Sequence, residues 1–369
     1  MLQDHFSEFT DARQAGKVQH NLLEIVVMTI CAVIAGCDVW EDIADFCRVK
    51  ESWFKGSLHM RLSNGIASHD TLARVWGMIY PSEFERCFRS WISSICQKTQ
   101  GEIISVDGKT ARGSGDKDRS PLHMVSAWAH QQQLVLGQMA TEEKSNEITA
   151  VPNLLDVLDI AGCIITADAM SCQKEIARKI VNKDGDYVLG LKDNQPRLRE
   201  DTADYFEAAR SDKHLYPEMQ HWRTSDKGHG RIEVRDYYLT TAIDWLDKRV
   251  DWIGLRGLGM VHTKVSIGDK VTEEDRFYIT SLTEVETFGK AVRAHWGIEN
   301  ALHWCLDMTF REDHSRIRKD HSSENMAVVR HLALDILKLY PVKISLARKR
   351  RRCSYDDVFL ADVLLSVHA

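Results

Sequence analysis

The spacing of apolar residues changes character near Gly101. Before it, hydrophobic positions recur every three to four residues. That period places them on one helix face and predicts helices over 22–35, 40–49, 71–79 and 82–95. Ser68 or Asp70 stands where the third would be capped, and Pro81-Ser82 opens the fourth. The first, LLEIVVMTICAVIAG, is apolar all round; it is too short to span a bilayer and carries Glu24, so it reads as a buried helix. The stretch through Gly56 and Asn64-Gly65 reads as a turn-rich loop. An all-helical N-terminal unit is expected.

After Gly101 the pattern turns to short apolar or alternating runs. EIISVDGKTAR, HMVSAWAH and QLVLGQMAT read as strands, and a polar hinge over 144–147 leads into a helix over 148–158. CIITADAM reads as a strand ending in Asp168, with a helix over 173–181 behind it. DYVLGLK is another strand, closed by the turn DNQP. Strands alternating with helices predict an α/β sheet covered on both faces. Residues 217–275 lean towards β structure, with a hairpin turn at GDK, and RFYITSL is a clean strand. Long helices over 285–305 and 323–340 follow. The closing basic run, Arg348 to Arg352, reads either as a solvated tail or as a source of sequence-independent DNA affinity.

Composition narrows the class. Apolar residues make up 44% and charged residues 28% of 369, which is ordinary for a soluble globular protein. A net charge of −6 argues against a uniformly basic nucleic-acid coat and leaves room for a local basic face. The nine cysteines form no C-x-x-C pair, so reduced thiols in a cytoplasmic protein are expected rather than a disulfide frame or a zinc site. The polar opening lacks a secretory signal, and no membrane association is expected.

The chemistry concentrates in 293–318, RAHWGIENALHWCLDMTFREDHSRIR. On a helix, His295, Glu299, His303 and Asp307 fall four residues apart on one face. Asp107 and Asp168 each close an apolar strand, where α/β sheets hold ligands. Two strand-end aspartates and a carboxylate from a later helix suit hard divalent cations. Two such ions about 3.5–4 Å apart stabilise the attacking and leaving oxygens of phosphoryl transfer. Spacing alone leaves other readings open. An Asp after a strand is commonly a turn residue, Glu299 also reads as a solvated helix carboxylate, and the histidine row as a packed face or a zinc site.

With these residues in view, the chain resembles bacterial insertion-sequence transposases of the DDE superfamily, above all the H-repeat-associated, Rhs-linked family. The resemblance runs through LLEIVVMTICAVIAGCDVWEDIADF, NGIASHDTLARV and FERCFRSWI. It continues through VDGKTAR, EKSNEITAVPNLLDVLDIAGCIITADAM, QKEIARKI, GDYVLGLKDNQ, KGHGRIEVR, RFYITSL, HWGIENALHWCLDMTFREDHSRIR and ENMAVVRHLAL. It implies an RNase H-like catalytic core, a mixed sheet flanked by helices, over 99–345. A mainly β insertion at about 200–275 lengthens the interval between Asp168 and Glu299. A helical transposase-associated domain over 1–98 precedes the core, and a basic tail over 346–369 follows it.

The resemblance also implies Asp107, Asp168 and Glu299 as catalytic metal ligands holding two Mg²⁺ ions, with Mn²⁺ able to substitute. The implied reaction is the cutting and joining of double-stranded DNA ends by a homodimer bound to terminal repeats and target. Lys109, Arg112, Arg316, Arg318 and Lys319 are candidates for phosphate contacts. Arg293, Asn300 and His303 are candidates to replace a Tyr-Arg-Lys signature whose positions here hold Val292, His295 and Leu306. Position 193, usually Gly in close relatives, is Asp. The competing readings are an RNase H-like nuclease without strand transfer and a catalytically inactive DNA-binding relic.

Overall fold

The computed structural model describes the chain apart from residues 1, 8–9, 97–99, 142–146, 213–215, 217, 229 and 366–369. The expected boundary at 98–99 and most of the hinge over 144–147 lie outside the described residues. Six helices come first: α1 (Leu2–His5), α2 (Leu22–Ile34), α3 (Trp40–Val49), α4 (Glu51–Ser57), α5 (His69–Met78) and α6 (Pro81–Ile95). Asn21 caps α2 by accepting from the Glu24 amide, and Ser68, rather than Asp70, caps α5 by accepting from Thr71. Helix α4 occupies part of the stretch read as a loop. Phe54 is its buried anchor, and two adjacent aromatics, Trp53 and Phe54, leave no period to detect.

The strands are β1 (Ile103–Ala111), β2 (Leu122–Ala129) and β3 (Leu134–Thr141), then β4 (Ile164–Ala167) and β5 (Asp186–Leu191) after α7 (Glu147–Val157) and α8 (Lys174–Asn182). Helix α9 (Pro196–Ser211) precedes β6 (Gln220–Gly228), β7 (Arg231–Thr240), β8 (Gly257–Ile267) and β9 (Lys270–Thr280). All nine join one sheet in the order β3-β2-β1-β4-β5-β9-β8-β7-β6. β1, β4 and β5 run parallel and the other neighbours antiparallel. The first five strands form the expected RNase H-like core. The insertion therefore opens with a helix, and its strands extend the core sheet through Val188↔Thr280 and its neighbours.

Alternation along the strands sorts the two faces. Ile104, Val106, Ile165 and Leu189 pack with Leu154, Leu155, Ile176 and Ile180 of α7 and α8. Ile103, Ile164 and Val188 face the opposite way, against Phe288, Ala291 and Ala294 of α10 (Val285–Ile298). The helix row then continues as a π-helical turn over Glu299–His303 and as α11 (Trp304–Met308).

The chain closes with α12 (Ser322–Leu339), α13 (Leu346–Tyr355) and α14 (Asp357–Leu365). These share one apolar core with α2, α3, α5 and α6, with Trp76, Trp91, Phe84 and Phe88 buried in it. The basic run is thus not a tail. Lys349 and Arg350 are buried on α13, where Arg350 donates to the Val33 carbonyl and pairs with Asp38. Lys349 donates to the Leu337 and Tyr340 carbonyls where α12 ends, so the two buried charges meet carbonyls left over at helix C-termini, while Arg348, Arg351 and Arg352 stay exposed. Among the described residues no helix is long and apolar enough to cross a membrane.

Candidate active site

Strand register brings the two aspartates together. β1 and β4 pair as Val106↔Ala167, so Asp107 and Asp168 follow at the same level of adjacent parallel strands. Asp168 leaves its strand there, with one carboxylate oxygen accepting from the Ser171 amide at 3.2 Å. Asp107 does not close its strand, contrary to the sequence reading. β1 runs four residues further because β2 keeps pairing as far as Ala111↔Leu122. The opening arises because β4 stops, leaving that edge of β1 without a neighbour.

Helix α10 crosses this opening. The side chain of Glu299 is 56% exposed, and its Oε2 lies 3.3 Å from His303 Nδ1; that nitrogen is 3.8 Å from Asp107 Oδ2. Asp107, Glu299 and His303 each offer a ligand atom, all within 4.8 Å of one another. Asp107, Asp168 and Glu299 line one cavity of about 340 Å³, together with Glu147, Lys192, Arg276, Tyr278, His295 and Trp296.

Electrostatics mark the cavity as crowded with negative charge. Burial pushes the Asp107 carboxyl up to about 7; Glu299 and Asp168 push the same way, and His303 opposes them. The hydrogen bond from His303 holds Glu299 below the usual carboxylate range. Burial drives His295 down to about 4, so its imidazole is neutral at ordinary pH; its Nδ1 lies 3.0 Å from Thr166 Oγ1. Among the described residues the group close enough to share an ion is Asp107, Glu299 and His303, without His295, whose Nδ1 faces Thr166. The donor set present, carboxylate oxygens with one imidazole nitrogen, fits a divalent cation, which offsets the mutual repulsion of the carboxylates.

The DNA-contact candidates divide. Arg112, Arg316 and Lys319 are exposed, and Arg318 Nε donates to the Gly113 carbonyl, which gathers these four residues around one loop. Arg293 is half-exposed and pairs with Asp226 at 3.4 Å; Asn300 is exposed and donates to the Trp296 carbonyl. Lys109 is different. Its side chain is only 10% exposed and its ammonium is ringed by Asp307, Glu312 and Asp313, so it is not offered to a phosphate. His303 is buried against Glu299 and Asp107, so its partners are those carboxylates. Val292 and Leu306, which replace two signature residues, are buried apolar side chains. Asp193 is exposed near Arg199, and its φ is not positive, so the turn needs no glycine there.

Glu147 and His123 escaped the sequence reading. They are buried and paired at 2.6 Å, and His123 Nδ1 lies 2.8 Å from Thr110 Oγ1. Gly108 makes room for them: a Cβ there would lie 2.4 Å from Glu147 Oε1. Single polar residues at element starts carry no periodic signal. Lys192, directly after β5, was open to the same strand-end rule that singled out Asp168.

The family profile described as "Transposase DDE domain" matches residues 98–336, and one described as "DDE_Tnp_1-associated" matches residues 3–92. The "H repeat-associated putative transposase YhhI" of Escherichia coli K12 is 41% identical over 372 residues, 98% of this chain and 97% of that protein. The "Inactive transposase YbfQ" of the same strain is 47% identical over 74 residues, 20% of this chain and 86% of its own length. Among solved structures, the cryo-EM structure of a piggyBac transposase synaptic complex with hairpin DNA matches 97% of this chain and 78% of its own, at 10% identity and a TM-score of 0.46. By its profile match and its relative of nearly equal length, this chain belongs to the DDE transposase family.

Proposed function

We propose that this transposase cuts and joins the ends of an insertion-sequence-type element, with Asp107, Asp168 and Glu299 holding divalent metal ions. The observation that carries the reading is the convergence of three carboxylates, distant in sequence, on one cavity. The β1–β4 register brings two of them side by side, and the π-helical turn that continues α10 brings the third. Bound there, Mg²⁺ or Mn²⁺ supplies a Lewis acid for phosphoryl transfer. The protein's own share is to hold the carboxylates at fixed spacing, with His303 orienting Glu299 towards Asp107.

DNA reaches the cavity past the exposed Arg112, Arg316 and Lys319 and the half-buried Arg318, whose charge offsets the repulsion between a phosphate and the acidic pocket. Arg276 and Lys192, which line the cavity, act in the same direction. The helical region over 1–98 reads the terminal repeat, the catalytic region over 99–345 performs the chemistry, and a homodimer holds both ends. The test is incubation of the purified protein with duplexes ending in the element's inverted repeats. Cleaved ends joined to a target plasmid, dependent on Mg²⁺ or Mn²⁺, are expected. Cleavage without joining would reduce the activity to that of a nuclease, and undiminished cleavage in excess EDTA would remove the metal from the account.

A further inference from the structure

Three rungs connect the strand that carries Asp107 to the helix that carries Glu299. On β1, Ser105, Asp107 and Lys109 alternate onto the face that α10 covers. On the helix row, His295, Glu299, His303 and Asp307 recur every four residues. The two repeats nearly match: two strand residues advance about 6.6 Å and four helical residues about 6 Å. At the first rung, Ser105 donates to the Ala294 carbonyl at 3.5 Å, and Thr166 on neighbouring β4 lies 3.0 Å from His295. At the second, Asp107 meets Glu299 and His303. At the third, Lys109 Nζ lies 2.7 Å from Asp307 Oδ1.

The middle rung sits where the helix geometry is irregular. Glu299–His303 is a π-helical turn, a wider and rarer form than the α-helix on either side. The outer rungs bracket it, one turn before and one turn after. The Lys109 rung is also anchored behind: Glu312 lies 3.1 Å from the ammonium, and buried Arg330 holds Glu312 in turn at 3.4 Å.

We propose that Lys109 is a positioning residue: its ion pair with Asp307 clamps the Asp107 strand to the Glu299 helix and sets the spacing of the catalytic carboxylates. This rests on the transposase reading of the same cavity. It also reassigns Lys109, because a clamp and a phosphate contact make opposite predictions about DNA binding.

The experiment compares Lys109→Met, Asp307→Asn and Lys109→Arg in the full chain, with two readouts. Hydrogen exchange of the amides over 299–308 reports the clamp whether or not the protein is active, and both charge-removing variants should raise it about tenfold. Turnover at saturating DNA should fall about 100-fold, as a misplacement near 1 Å does. DNA affinity and its salt dependence should stay at the wild-type level, and Lys109→Arg should restore turnover. Asp307→Asn covers the case in which Lys109→Met, which leaves Glu312 and Asp313 less compensated, fails to fold. Unchanged exchange over 299–308 in both variants overturns the clamp. Weakened DNA binding with a flatter salt slope for Lys109→Met overturns it too, in favour of a phosphate contact. An inactive wild-type protein with raised exchange in the variants would leave the clamp standing and strike the transposase reading alone.

Discussion

The helical core that ties the two ends of the chain together and the interface between α10 and β1 are built from opposite materials. The first is apolar: Trp76, Trp91, Phe84 and Phe88 pack with Leu332, Leu337 and Leu360, and polar groups enter mostly to satisfy backbone, as Arg350 does. The second becomes polar along its length, from Ile103 and Ala291 to Asp107 and His303 and then to Lys109 and Asp307. Apolar burial is non-directional and tolerates small shifts; charged pairs in a dry setting fix distances. The molecule keeps stability in one region and stores crowded charge in the other.

Removing charge from the second region should therefore separate stability from function. Asp107→Asn should lower cleavage at least about 1000-fold, because a ligand charge is lost at the reacting centre. The same change relieves repulsion among Asp107, Glu299 and Asp168, so the Tm in EDTA should rise. A fall in Tm would show that Asp107 supports the fold instead.

The opposite behaviour is expected in the helical core. Trp76 is fully buried, and its indole donates to Thr29 Oγ1 at 3.0 Å. Trp76→Ala should cost about 3–5 kcal/mol in urea unfolding. The cleavage rate of the fraction that remains folded should match wild type.

One carboxylate joins the helical core to the sheet edge at β3 and should make stability depend on pH. Glu85 on α6 accepts from the Gln138 amide of β3 at 3.0 Å, and burial pushes it up to about 7; Gln138 and Arg89 oppose that shift and Glu324 adds to it. The folded value lies above the unfolded one. The folded state therefore keeps a proton that the unfolded chain releases, and stability falls as pH rises from about 4.5 to about 7. The loss approaches about 3 kcal/mol. Glu85→Gln should flatten that part of the pH–stability curve, and an unchanged slope would place the charge elsewhere.

The smallest effect belongs to the surface. Replacing Arg316, Arg318 and Lys319 with Ala should shrink the slope of log K against log[salt] by about 0.9 for each phosphate no longer neutralised, with little change in Tm. Arg350→Met should do the reverse, lowering Tm and leaving the slope alone, because its guanidinium is buried. A slope unchanged in the triple variant would make that cluster a solvated face.

Much of this division is legible in the sequence. Helical period found α2, α3, α5 and α6, and apolar runs found β5 as well as β1 and β4 with Asp107 and Asp168, because burial on one or both faces leaves a regular imprint. The four-residue spacing groups His295, Glu299, His303 and Asp307 on one helix face; that this face meets β1 and β4 comes from packing alone. What spacing does not reveal is where a neighbour ends: Asp107 opens onto the cavity in mid-strand because β4 stops beside it. Nor does it tell a free cation from a consumed one. Lys109 and Arg350 look like DNA contacts in a basic context, and only tertiary packing puts acids or carbonyls around them. Glu147 and His123 gave no signal, since their pairing depends on the room left by Gly108.

The central claim is that Asp107, Asp168 and Glu299 form one divalent cation site. Anomalous diffraction from crystals soaked in Mn²⁺ tests it most directly. The account predicts a peak in the cavity within coordination distance of Asp107 and Glu299, absent from Asp107→Asn crystals. A Mn²⁺ peak elsewhere in the molecule, with all three carboxylates ordered and unliganded, would contradict it.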